Sequence, residues 1–141
     1  MDKVSMKCRT AVSGNARGAL LFSNDSFCFW GGADPATGEI RDNRHGNYQE
    51  NMSGKVFAFP FGKGSSGAGL VILEMIRTGC APAAIINLRT DPVILTGPLI
   101  AKHFYEKNIP VVSLSEEDYQ KLEDAKEVEF IDGEDRINVY Y

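Results

Sequence analysis

The stretch Phe59-Pro60-Phe61-Gly62-Lys63-Gly64-Ser65-Ser66-Gly67-Ala68-Gly69 gathers the residue types from which an anion-handling site is built. It follows a short apolar run, Val56 to Phe59, and precedes an apolar segment from Leu70 to Arg77 that reads as a helix. The first turn of a helix exposes N–H groups without intrahelical partners and carries partial positive charge. Glycines let a ligand approach that backbone closely. Lys63 adds a full charge, and Ser65 and Ser66 add two hydroxyls. Together these are the means of holding a carboxylate or phosphate.

Three arrangements share this chemistry. A Walker A loop needs G-x-x-x-x-G-K-[ST]; here Gly64 follows Gly62-Lys63 and Phe57 stands five positions before Gly62, so the pattern fails. Gly62, Gly64 and Gly67 do satisfy G-x-G-x-x-G, but a dinucleotide site also wants an acid at the end of the next strand, and Asn87, Leu88 and Arg89 stand there. The third arrangement is a tight turn in which Ser65 or Ser66 only caps the helix.

Other polar residues are weaker candidates. His45 lies beside Gly46 in a polar segment, Asp42 to Ser53, and is either a solvated loop residue or part of a cleft wall. His103 falls inside a helical segment and reads as structural or exposed. Trp30-Gly31-Gly32 is either a core aromatic closed by a tight turn or the border of a cleft. Asp34-Pro35-Ala36-Thr37-Gly38 is turn chemistry. Cys8, Cys28 and Cys80 are widely spaced with no C-x-x-C pair, so no metal site is written in this chain, and they read as reduced, mostly buried thiols.

The elements that must position these residues fall into two halves. Cys8 to Ser13 and Arg17 to Phe22 read as strands, and Phe27 to Trp30 as a third apolar run. The second half reads β-α-β-α-β. Strands are expected at Val56 to Phe59, Ala83 to Ile86 and Ile109 to Leu114, and a second helix over Ile94 to Glu106, disturbed by Gly97-Pro98. Ser115 with Glu116, Glu117 and Asp118 opens a further helix, and Glu127 to Ile131 and Arg136 to Tyr140 form a hairpin around Asp132-Gly133. The expectation is one α/β domain over residues 1–141, with a partly parallel sheet and a second, more antiparallel layer. Net charge is −4, from 15 basic and 19 acidic residues, with no basic run, which argues against nucleic acid or an anionic membrane as partner. No leader-like N-terminus and no apolar stretch of membrane-spanning length (about 18 residues) is present, so the expected location is the cytoplasm.

An ordered set of segments resembles the small subunit, or swivel domain, of aconitase X. It runs from Phe29-Trp30-Gly31-Gly32-Ala33-Asp34-Pro35-Ala36-Thr37-Gly38-Glu39-Ile40 through His45 and the glycine-rich turn. Gly79-Cys80-Ala81-Pro82-Ala83-Ala84-Ile85-Ile86, Asp91-Pro92-Val93-Ile94 and Ile109-Pro110-Val111-Val112 follow. The resemblance covers Ala11 to Leu114 and implies a swivelling β/β/α domain that closes over a larger subunit. That partner would carry an iron–sulfur cluster and much of the substrate site. It also implies a hydro-lyase acting on a small hydroxy acid, such as mevalonate 5-phosphate or cis-3-hydroxy-L-proline. Gly64-Ser65-Ser66 is similar to the G-S-S step of ordinary aconitases, which makes Ser65 the candidate base. Gly31, Gly32, His45, Gly62, Lys63, Gly64 and Ser66 become candidate substrate contacts. The Arg-Glu that follows the two serines in ordinary aconitases is absent, since Gly67-Ala68 stand there, so Lys63 or the partner would have to replace the arginine. The competing class is a non-catalytic module that binds an anion or a protein through the same loop.

Overall fold

A computed structural model describes residues 2–63 and 67–141 of the chain. Among these residues the first half forms β1 (Lys3–Lys7), β2 (Arg9–Val12), β3 (Ala16–Phe22), a single irregular turn α1 (Phe29–Gly32) and β4 (Val56–Ala58). The second half forms α2 (Ala68–Thr78), β5 (Ala84–Asn87), α3 (Pro92–Phe104), β6 (Val111–Ser113), α4 (Glu116–Gln120), β7 (Glu127–Phe130) and β8 (Arg136–Tyr140).

The strands form one sheet in the order β1-β8-β7-β3-β4-β5-β6-β2. From β3 to β6 the pairing is parallel, as consecutive β-α-β crossovers require. The flanking pairs β1·β8, β8·β7, β7·β3 and β6·β2 are antiparallel. β3 belongs to both parts: Ala16 to Ala19 pair with β7, while Leu20 to Phe22 pair with β4 on its other side. The expected antiparallel layer is thus continuous with the parallel one. The two edge strands, β1 and β2, are joined in sequence through Cys8 alone, which rolls the sheet into a nearly closed barrel.

Alternation along the strands builds a core on each face. Val56, Ala58, Ala84, Ile86, Val112, Val128 and Val139 fill the concave interior with Tyr119 and Leu122 from the α4 segment. Phe57, Phe59, Ile85 and Val111 point the other way, onto Ile72 and Met75 of α2 and Ile94 of α3.

α2 ends where Gly79 takes the left-handed conformation (φ 80°) and the Cys80 N–H returns to the Met75 carbonyl at 3.0 Å. α3 starts with Pro92 in its first turn and Asp91 as cap, its side chain accepting from the Val93 N–H at 2.9 Å. Gly97-Pro98 lies inside this helix rather than disturbing its start. Gly97 is there for close approach: a Cβ on it would stand 2.8 Å from the Gly69 carbonyl oxygen and 3.0 Å from Ile72 Cβ. A Cβ on Gly69 would stand 2.8 Å from Thr96 Cβ and 2.9 Å from the Val93 carbonyl oxygen. The first turn of α2 is therefore set by a backbone-to-backbone contact with α3.

This contact gives a test with a reversed sign. In an exposed helix interior Gly→Ala stabilises by about 1 kcal/mol. Gly97→Ala should instead destabilise by about 1–3 kcal/mol, the cost of overpacking, read as a lower denaturation midpoint. A midpoint equal to or above wild type would contradict the α2–α3 contact.

Candidate functional site

The glycine-rich turn leaves β4 at the C-terminal end of the parallel strands, where open α/β sheets place ligands. Beyond β4, Phe59 continues the ladder through its N–H to the Ile86 carbonyl at 3.1 Å, and the Leu88 N–H bonds to the Pro60 carbonyl at 3.0 Å. The chain then runs beside Phe27. Phe27 N–H donates to the Phe61 carbonyl, and Lys63 N–H donates to the Phe27 carbonyl, both at 3.0 Å. Phe27 is an immobile partner: it is 1% exposed and sits among Phe29, Phe57 and Phe59 with ring centroids 4.9–6.0 Å away. Apart from its bridge to Gly62, the Phe27 to Trp30 run forms no strand; it buries Phe27 and Phe29 and then bends at Gly31, where φ is 80°.

Gly62 packs against Ile94, whose Cδ1 a Cβ would strike. Gly64, Ser65 and Ser66 lie outside the described residues. The chain is described again at Gly67, the N-cap of α2. A Cβ on Gly67 would stand 2.6 Å from Trp30 Cε3, so the half-exposed indole lies across the start of the helix. Gly32 is buried, its α-carbon face against the Phe27 ring. The two motifs singled out from sequence, Trp30-Gly31-Gly32 and the glycine-rich turn, are therefore neighbours.

Lys63 opens onto a polar cleft of about 690 Å³ shared with Asp25, Ser26, Asp42, Arg44 and His45. The two carboxylates are turned onto the backbone: Asp25 accepts from the Gly46 N–H at 2.7 Å and Asp42 from the Arg44 N–H at 3.0 Å. Lys63 and Arg44 form no ion pair with any described residue. Arg89, which follows β5, does not line this cleft.

His45 is not a solvated loop residue. It is 5% exposed, packed edge-on against Phe27 at 5.3 Å. Nδ1 accepts from the Asn47 N–H at 3.1 Å, which leaves Nε2 to donate to Ser23 Oγ at 3.2 Å. Ser23 Oγ also accepts from the Asp25 N–H at 2.9 Å, and the Ser23 carbonyl accepts from the Tyr119 hydroxyl at 2.6 Å. Burial pushes the Tyr119 phenol well above its ordinary range, so it stays a protonated donor. The cleft wall is thereby tied to the barrel interior. The sequence reading missed Ser23, Asp25 and Tyr119; the polar Ser23-Asn24-Asp25 cluster at the end of an apolar strand was the available signal.

Among the described residues no three His, Cys, Asp or Glu side chains gather as a metal centre requires. Cys8 lies beside Thr10, Cys28 against the Trp30 carbonyl, and Cys80 against the Pro35 carbonyl and Thr78. These thiols do not fit an iron–sulfur cluster. No helix among the described residues is long and apolar enough to cross a membrane.

The profile of the aconitase X swivel domain matches residues 5–139. The chain belongs to this family. It is 35% identical over 140 residues to the phosphomevalonate dehydratase small subunit of Methanosarcina acetivorans, covering 99% of this chain and 93% of that protein. It is 38% identical to the phosphomevalonate dehydratase small subunit of Methanothermobacter thermautotrophicus, over 95% of this chain and 98% of that one. It is 36% identical to the cis-3-hydroxy-L-proline dehydratase of Pseudomonas aeruginosa over 77% of this chain, which is only 19% of that longer protein. Among solved structures, holo aconitase X of Thermococcus kodakaraensis contains a chain that superimposes with a TM-score of 0.85 at 29% identity, covering 98% of this chain and 99% of that one. The aconitase X swivel fold implied by the ordered motifs is thus established.

The Trp30–Gly67 contact can be read optically, because Trp30 is the single tryptophan. Gly67→Ala must displace the indole, so the emission maximum of Trp30 should shift while the far-ultraviolet dichroism stays that of wild type. An unchanged emission spectrum would contradict the packing of Trp30 on the helix start.

Proposed function

We propose that this chain is the small subunit of a two-subunit dehydratase that removes water from a phosphorylated hydroxy acid of the mevalonate 5-phosphate kind. The observation that carries the choice of substrate is the cleft lined by both Lys63 and Arg44, neither of which is ion-paired with another described residue. Two cations on one cleft suit a substrate with two anionic ends. A zwitterion such as cis-3-hydroxy-L-proline needs only one of them. The phosphomevalonate dehydratase small subunits that align with nearly the whole of this chain support the same substrate.

In this reading Ser65 is the general base that takes a proton from the carbon next to the substrate carboxylate. A serine hydroxyl is a poor base in water and works only where its alkoxide is stabilised. The helix N-terminus, the backbone N–H groups of the turn and the Lys63 ammonium provide that stabilisation. Gly62 and Gly64 let the substrate reach the backbone, and Ser66 donates to it. Gly31 and Gly32 do not line this cleft but lead Trp30 to the helix start, and His45, fixed on Ser23, gives the cleft wall a constant shape. The iron–sulfur cluster belongs to the large subunit, where it supplies Lewis acidity for the departing hydroxyl.

The test uses this chain assembled with an aconitase-X-type large subunit, assayed on mevalonate 5-phosphate and on cis-3-hydroxy-L-proline. Turnover of the phosphorylated substrate is expected. Ser65→Ala should lower kcat by about 10²–10⁴ with folding nearly unchanged. Lys63→Ala should raise KM about tenfold, equivalent to about 1.4 kcal/mol. If Ser65→Ala costs about 1 kcal/mol of stability and leaves kcat near normal, the serine is only a helix cap. Turnover of hydroxyproline alone would overturn the choice of substrate, and turnover of neither would favour a binding module.

A further inference from the structure

Asn87 closes β5 and is fully buried (0% exposed). Ile86 points into the barrel and Ile85 onto the helices, so alternation turns Asn87 to the helix side, at the strand end from which the turns to α2 and α3 depart. Its side chain repairs a break in the ladder. The Leu88 N–H bonds to the Pro60 carbonyl and passes over that of Phe59; Asn87 Nδ2 donates to the Phe59 carbonyl at 2.8 Å instead. The Asn87 carbonyl in turn accepts from the Leu114 N–H at 2.9 Å. One residue therefore ties together the exits of β4, β5 and β6.

The bond to Phe59 uses only the donor half of the Asn87 amide. Asn87 Oδ1 is buried with no hydrogen-bond partner among the described residues, and the Thr90 hydroxyl, three residues on in the same connection, is in the same state. An idle buried acceptor is a burden on the fold that an apolar side chain would not impose.

We propose that Asn87 is a positioning residue for the dehydration. Through the Phe59 carbonyl it sets the direction in which the chain leaves β4, and so the register of Phe61, Gly62 and Lys63 along Phe27. The effect on turnover rests on the dehydratase reading above; the effect on the turn does not.

The experiment uses Asn87→Leu, a γ-branched apolar replacement. In the free chain the Tm should fall by no more than about 8 °C, because the Phe59 carbonyl left without a donor costs about 1–3 kcal/mol and removal of the unpartnered Oδ1 offsets part of it. The amide of Lys63 should exchange hydrogen about tenfold faster, with Ile85 and Ile86 still protected. In the assembled enzyme kcat for mevalonate 5-phosphate should fall about tenfold, a larger factor than any change in KM. Unchanged exchange at Lys63 would overturn the proposal whether or not the assembly turns over that substrate. So would loss of protection throughout the chain, or a variant that no longer folds, since either makes Asn87 a purely structural residue. With a wild-type assembly that is active, an unchanged kcat would overturn it as well.

Discussion

The structure depends on one strand that joins the antiparallel and parallel parts of the sheet. β3 gives its first four residues to β7 and its last three to β4, on opposite sides. A strand shared in this offset way makes the sheet curl at that point. Once curled, the free edges β1 and β2 come near enough for Cys8 alone to join them. The strands then turn small and β-branched residues, Val56, Ala58, Ala84, Val112, Val128 and Val139, to the concave face, which leaves room for Tyr119 and Leu122. The convex face is left for helices and takes the aromatic and long aliphatic side chains.

That division places the site. All four parallel strands end on the same rim, so the connections after β3, β4 and β5 meet there. The connection after β3 is held from inside the barrel by the Tyr119 hydroxyl, and from the cleft side by Ser23 and His45. The connection after β4 is held by Phe27 at Phe61 and Lys63, and the helix it enters is held by the contact of Gly69 with Gly97. Lys63 and Arg44 thus face one cleft from backbones that are themselves well anchored. A swivel domain that must meet a second protein around a small substrate needs this rigidity, because affinity and turnover depend on sub-ångström placement of the binding groups.

Much of this was legible in the residues. The helix stop at Gly79, the Ser115 cap, whose hydroxyl accepts from the Asp118 N–H, and the turn at Gly133, with φ 83°, each follow from local chemistry. The glycine-rich turn was visible because its composition has few other uses. What stayed hidden depends on partners distant in sequence. β1 has one buried residue, Met6, in a polar stretch and exists because β8 pairs with it. His45 looks solvated among polar neighbours, and its burial comes from Phe27 and Ser23. Gly97-Pro98 reads as a helix breaker until α2 is seen to need the space. Asn87 reads as a failed nucleotide motif until the Phe59 carbonyl is placed beside it.

In the function proposed for it, this chain completes an active site whose other half belongs to a larger partner. The direct measurement is a titration of the purified, cluster-loaded large subunit with this chain, following dehydration of mevalonate 5-phosphate. Dehydratase activity should be absent from either protein alone, rise linearly with added chain and saturate at a fixed stoichiometry. Full activity of the large subunit by itself, or activity of this chain alone, would contradict the account.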